Sequence, residues 1–211
     1  MVAYAKRESK QLPRLTPQEY LERERKAERK SEYYDGVIVA MSGASKEHNR
    51  ITFNISGELY AQLKGKPCQA FVSDLRVRVP ECNCYYYPDV VVVCGEPVFE
   101  DAELDTLLNP TLVIEVLSES TQAYDRGDKM ECYQTLESLQ AYVLVSQDKP
   151  LITIYRRQDK DWLYSPVKGL ESVLTLDAIG CELRLADVYD RIQFPALQSE
   201  QPANGATAAS E

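Results

Sequence analysis

The chain has 211 residues, 44% hydrophobic and 27% charged, the usage of a globular protein large enough to bury a core without metal or disulfide staples. Lys plus Arg number 24 against 33 Asp plus Glu, a net charge of −9, which argues against a general nucleic-acid binder because phosphates call for cations. No apolar run approaches the roughly 20 residues of a membrane span, and the N-terminus lacks the apolar segment of a secretory signal. The six cysteines are dispersed, so the expectation is free thiols in a reducing cytoplasm. Cys82 and Cys84 form the only close pair, too few ligands for zinc beside a single, distant histidine.

Residues 1–31 hold nine Lys/Arg against five Glu, so the acidic excess lies beyond them. Residues 1–14 are expected to be flexible. Thr16-Pro17-Gln18-Glu19 is a helix start, with Thr as N-cap, Pro at the first position and Glu to close a capping box. The charged run that follows predicts a solvated helix to about Lys30. Asp35-Gly36 between short apolar runs predicts a hairpin. From Ser45 to Lys64, His48, Ile51, Thr52, Ile55, Leu59 and Leu63 recur at helical spacing and form one inward face. Strands are predicted at 68–73, 75–80, 86–94 and 111–118, a helix at 124–136, and further strands at 140–146, 151–157 and 161–165. Two short strands and a short helix close the domain near 189. The small, polar tail 195–211 is expected to be disordered. The order predicts one α/β domain, 15–194, with a central mixed β-sheet flanked by helices.

Two strands carry unusual acids. Asp89 opens the run Val90–Val93, and Glu115 interrupts Leu112–Leu117. A buried carboxylate must pair, take up a proton or meet a cation. Asp89 alone reads more readily as a strand start after a proline with its side chain in a turn, and Glu115 has Arg76 or Arg78 as possible partners. Together they point to a metal or catalytic site. Lys129 and Tyr133 share a helix face and would reach Glu115 if that helix packs back over its strand. Otherwise Lys129 is a surface lysine beside Asp125 and Glu131. His48, the sole histidine, lies on the apolar helix face, where a hydrogen-bonded core role is the plainer reading. Glu32 precedes the hairpin and is weak as an isolated feature.

Pro88-Asp89 followed by a strand with an internal acid resembles the PD-(D/E)xK nuclease superfamily. The longer pattern is more specific: Glu32 to Met41, His48, Tyr87 to Val93, Asn109-Pro110, Ile114 to Thr121, Asp125 to Lys129 and Tyr133. It resembles the Uma-type restriction endonuclease family over roughly Leu15 to Ile192. The resemblance implies a restriction-endonuclease-like core, a homodimer, and DNA as substrate. It implies Mg²⁺, with Mn²⁺ as substitute, on Asp89 and Glu115, helped by the carbonyl of Val116, and no organic cofactor. The superfamily's usual lysine position, two residues after the second acid, is Leu117 here, so the resemblance assigns that charge to Lys129 from the next helix. Glu32, His48 and Tyr133 would be supporting residues. A catalytically silent protein of nuclease fold and a metal hydrolase of small phosphoesters remain alternatives. Arg23, Arg25, Lys26, Arg29, Lys30, Arg76 and Arg78 are candidates to face a phosphate backbone.

Overall fold

A computed structural model describes residues 14–194. The segments expected to be flexible or disordered, up to residue 13 and from 195 on, lie outside the described residues. Helix α1 (Pro17–Glu24) begins with the expected capping box: Thr16 Oγ1 accepts from the Glu19 N–H, and Glu19 accepts from the Thr16 N–H. The helix ends six residues before the predicted Lys30. Glu24 is buried there and accepts from the Ser31 N–H and the Tyr87 hydroxyl, which turns the chain away. Of the basic residues that follow, Arg25 pairs with Asp101 and Asp105 and Lys30 with Asp74, across space rather than along a helix.

Strands β1 (Ser31–Tyr34) and β2 (Val37–Ala40) form the predicted hairpin. Its turn residues Asp35 and Gly36 both have positive φ, the backbone that an Asp-Gly turn supplies. Helix α2 (Lys46–Leu63) follows, capped by Ser45. Next come β3 (Cys68–Val72), β4 (Arg76–Val79), β5 (Cys84–Tyr86), β6 (Val90–Cys94), β7 (Thr106–Leu107) and β8 (Leu112–Val116). Helices α3 (Gln122–Asp125) and α4 (Asp128–Gln134) lead to β9 (Ala141–Val145), β10 (Leu151–Gln158) and β11 (Asp161–Lys168). The chain closes with β12 (Val173–Leu176), a short 3₁₀ turn, β13 (Cys181–Arg184) and α5 (Leu185–Val188).

The α/β class holds, but the single central sheet does not. A five-stranded sheet, β2-β1-β5-β4-β7, and a six-stranded sheet, β11-β10-β9-β8-β6-β3, share a core, with β12-β13 as a separate pair. Both large sheets are mixed: β4–β7 and β8–β9 are parallel, the other pairs antiparallel. The predicted strand 86–94 is in fact two strands in different sheets. Pro88 lacks the N–H a continuous ladder needs, so Tyr87-Pro88-Asp89 becomes the crossover. The predicted helix 124–136 is likewise two helices, broken at Gly127.

Side-chain alternation divides the six-stranded sheet. Val90, Val92, Leu112, Ile114 and Val116 pack against Ile51, Ile55 and Leu59 of α2. Val91, Val93, Val113 and Leu144 face the five-stranded sheet and Tyr133 of α4. Glu115 shares the parity of Val113 and therefore points toward α4.

The free-thiol expectation is overturned for four cysteines. Register sets Cys68 opposite Cys94 on β3 and β6, where they form a disulfide. A second disulfide joins Cys82, in the turn before β5, to Cys132 of α4. Wide spacing in sequence concealed both adjacencies. Cys84 and Cys181 are free and buried. Among the described residues no helix is long and apolar enough to cross a membrane.

Arg76, 4% exposed, does not pair with Glu115 but with Asp105, and it donates to the Tyr87 hydroxyl. Arg25 grips Asp105 as well, through Nε and Nη2, each at 2.9 Å. The hydrogen bonds from Arg25 hold the Asp105 carboxyl below the usual carboxylate range. Partial burial opposes this, and Arg76 adds to it. Asp105→Ala would leave the buried Arg76 without its carboxylate, a loss of roughly 3–5 kcal/mol. Because the folded-state pKa is depressed, this contribution is present above the unfolded value and is lost as pH falls. Denaturant unfolding should show a large wild-type advantage at neutral pH that shrinks below about pH 4. An equal gap at all pH would show that charge pairing is not its source.

Candidate active site

The site lies where β6 leaves its neighbour. Val90 pairs with Ile114, so Asp89 stands opposite Glu115 at the next step of the same antiparallel register. The ladder is not continued there. Instead the Val116 N–H donates to Asp89 Oδ2 at 2.7 Å. His48, in the first turn of α2, places Nε2 3.1 Å from the same oxygen. Its expected place on the apolar helix face is thus its upper end, where the imidazole meets a carboxylate rather than the core. Among the described residues, Asp89 Oδ1 receives no hydrogen bond.

Glu115 is 5% exposed and Lys129 4%. The break at Gly127 turns α4 so that Lys129 drops onto β8. Its Nζ lies 2.9 Å from Glu115, 3.1 Å from Glu32 on β1 and 3.7 Å from Asp125 at the end of α3. It also sits 5.2 Å above the Tyr86 ring, a cation–π contact. One ammonium therefore faces three carboxylates. Burial disfavours the charged Lys129, yet Glu115, Glu32 and Asp125 overcome this and raise its pKa well above the ordinary lysine value. Burial raises Glu115 well above the ordinary glutamate value. Lys129 opposes that shift, and Asp125, Asp89 and Glu32 reinforce it. Negative charge exceeds positive charge in this cluster.

Glu32 is fixed from several sides. It accepts from Lys129, from the Tyr87 N–H at 3.1 Å and from the Tyr34 hydroxyl. Tyr133 stands behind the site rather than in it. It is fully buried, its hydroxyl has no hydrogen-bond partner among the described residues, and its ring packs at a tilt against Tyr86 and Tyr142. The sequence reading missed Asp125 as a member of the cluster. Its i,i+4 spacing to Lys129 was visible, but its burial depends on the packing of α3.

The chemistry of a divalent cation can be tested against these donors. Mg²⁺ takes one or two carboxylates and keeps several waters. Asp89 and Glu115 provide such a pair. Glu115 Oε1 is buried and, although Lys129 Nζ lies 2.9 Å away, receives no well-aligned hydrogen bond among the described residues. Among the described residues, no three His, Cys, Asp or Glu side chains form a ready metal cage. The donor set therefore fits a hydrated hard cation, not a fully protein-ligated one.

The site forms the floor of a cleft of about 1720 Å³. Glu32, His48, Asp89, Glu115, Asp125 and Lys129 line it, with Arg29 and Lys30 at its rim. Of the basic residues singled out from sequence, Arg25 and Arg76 are committed to Asp105, and Arg78 to Asn83 and the Tyr85 ring. Lys30 pairs with Asp74.

The family profile of Uma2, described as "putative restriction endonuclease", matches residues 17–187. The chain belongs to the Uma2 family. Two proteins of Synechocystis sp., both described as uncharacterized, are similar in sequence. One is 40% identical over 156 residues, covering 74% of this chain and 88% of that protein. The other is 37% identical over 183 residues, covering 86% and 95%. A crystal structure from Anabaena variabilis, described as a "putative nuclease belonging to DUF820", superposes with a TM-score of 0.69 at 19% identity. It covers 83% of this chain and 97% of that one. At that identity the likeness speaks for the fold alone. The Uma2 match spans every element that supplies a residue to the cluster, from Glu32 to Lys129.

Proposed function

We propose that the chain hydrolyses phosphodiester bonds of DNA with Mg²⁺, or Mn²⁺ in its place, held by Asp89 and Glu115. The observation that carries this reading is the pairing of two cross-strand carboxylates with one buried, charged lysine on the floor of a large cleft. A cation held by Asp89 and Glu115 would supply Lewis acidity for activating water and polarising the scissile phosphate. Lys129 stays protonated, so its role is electrostatic: it offsets charge growing on phosphate oxygens. Glu32 and Asp125 hold that ammonium in place. His48 and the Val116 N–H fix one oxygen of Asp89, and the other would be available to the cation.

The cleft volume bears on substrate class. Pockets for small molecules run to about 300–1,000 Å³, and this cleft is larger and open, which suits a polymer better than a small phosphoester. A catalytically silent binding protein is less consistent with a site that keeps both acids and a buried lysine. Supercoiled DNA, RNA and a small aryl phosphodiester should be incubated side by side with Mg²⁺, with Mn²⁺ and with chelator. The expected result is cleavage of DNA that stops in chelator. Turnover of the small diester alone would replace the nuclease reading with that of a phosphoesterase. Inactivity toward all three would favour the silent binding protein.

A further inference from the structure

The solvent face of α2 differs in charge from the rest of this acidic protein. Its exposed positions include Lys46, Asn49, Phe53, Gly57 and Tyr60, with the half-buried Arg50 beside them and Lys64 at the C-cap. Glu47, which also lines the main cleft, and Glu58 are half-buried on the neighbouring flank of the helix, outside the line of Lys46, Phe53, Tyr60 and Lys64. Two large rings stand in solvent, Phe53 at 69% and Tyr60 at 73% exposure, and the Arg50 guanidinium lies 5.9 Å from the centre of the Phe53 ring. A seven-residue step brings both rings to the same helix face, two turns and roughly 10 Å apart. The backbone between them is bare, since Gly57 carries no side chain and a Cβ there would meet nothing within 4 Å.

The stripe is continuous with the candidate active site. A shallow depression of about 410 Å³, lined by Lys46, Asn49, Arg50 and Phe53, adjoins the main cleft, and Asn49 lines both. His48, which contacts Asp89, is the next residue in the chain. Phosphates leaving the cleft over this end of α2 would meet Lys46 and Arg50, and bases beyond them would meet exposed rings. Cations interleaved with aromatic rings are the chemistry that holds single-stranded nucleic acid, because every unpaired base offers a face to stack.

We propose that this face of α2 is the track for an unpaired flank of the substrate strand, with bases stacked on Phe53 and Tyr60 and phosphates against Lys46 and Arg50. The proposal rests on the nuclease reading and adds a substrate preference to it: a duplex with a single-stranded tail over a blunt one. It also answers the charge objection, since binding would draw on a local stripe rather than on the net charge of −9.

The test is fluorescence anisotropy of the full chain with a labelled duplex, blunt or carrying a tail of about ten thymidines on either end. The tail is expected to tighten binding by about tenfold or more. Phe53→Ala and Tyr60→Ala should each reduce the ratio of tailed to blunt affinity by about fivefold or more. Lys46→Ala with Arg50→Ala should flatten its salt dependence. Both rings are exposed, so these variants should fold. Equal affinity for tailed and blunt duplexes, or an unchanged ratio in the ring variants, would overturn the proposal. So would sedimentation showing that the ring variants dissociate a dimer while the ratio holds, which would make the stripe a contact between copies. Cleavage of the blunt duplex in Mg²⁺ by the unaltered chain reports separately on the nuclease reading. If that chain cleaves but shows no tail preference, only the track is lost. If it neither binds nor cleaves, both readings fall.

Discussion

Lys129→Met is expected to weaken the protein twice over. The ammonium is the counter-charge for Glu115, Glu32 and Asp125, all within 4 Å and all nearly buried. Removing one partner of a buried ionic group typically costs about 3–5 kcal/mol, because the remaining charges are left uncompensated. The unfolding midpoint should fall accordingly. Adding Glu115→Gln to the same chain should recover part of the loss, since it removes the carboxylate closest to the vacated position. A double-mutant cycle measures that coupling directly. Cleavage should fall by about 10²–10³-fold, the range for removing one group that stabilises developing charge. A Lys129→Met protein as stable as the wild type would mean that the cluster is solvated rather than buried. Full activity in that variant would remove Lys129 from the chemistry.

Asp89→Asn and Glu115→Gln should each abolish metal-dependent cleavage while the fold survives. Both substitutions keep the shape of the side chain and remove its charge. Asp89→Asn keeps an oxygen able to accept from the Val116 N–H, so the crossover at Pro88 should persist. Glu115→Gln removes an acid that burial and its acidic neighbours already push toward the neutral form, so stability should change little or rise. Circular dichroism and melting establish the fold, and a plasmid-nicking assay in Mg²⁺ and Mn²⁺ reads the activity. Cleavage that survives in both variants would remove the two acids from the mechanism. Its loss together with the melting transition would assign them to stability instead.

Much of this site is written in local sequence. Asp89 and Glu115 stand out because one opens a run of valines and the other interrupts an apolar run, and the register of β6 and β8 then sets them side by side. The hairpin at Asp35-Gly36 and the capping box at Thr16 follow from turn and cap chemistry that operates over a few residues. Other features depend on contacts that no local pattern records. The charged run after Glu24 has high helix propensity, but Arg25 and Lys30 find their partners on distant loops and the helix stops. The strand read through Tyr87-Pro88-Asp89 looked continuous by hydropathy. The proline and the demands of two sheets divided it. The two-residue β7 is too short for any periodicity to declare, and without it the five-stranded sheet is not legible. Glu32 and His48 gained their meaning only when β1 and the start of α2 were placed beside Lys129 and Asp89. The disulfides are the clearest case, since Cys68 and Cys94 are 26 residues apart in sequence and directly opposed in register.

In the proposed mechanism Asp89 and Glu115 together would hold the divalent cation that activates water. Its most direct test is anomalous diffraction from crystals soaked in Mn²⁺. The expected result is a peak between the two carboxylates, completed by water oxygens, with the Lys129 ammonium still against Glu115 or Glu32. A preparation that cleaves DNA in Mn²⁺ but shows no peak there, or shows one elsewhere, would contradict it.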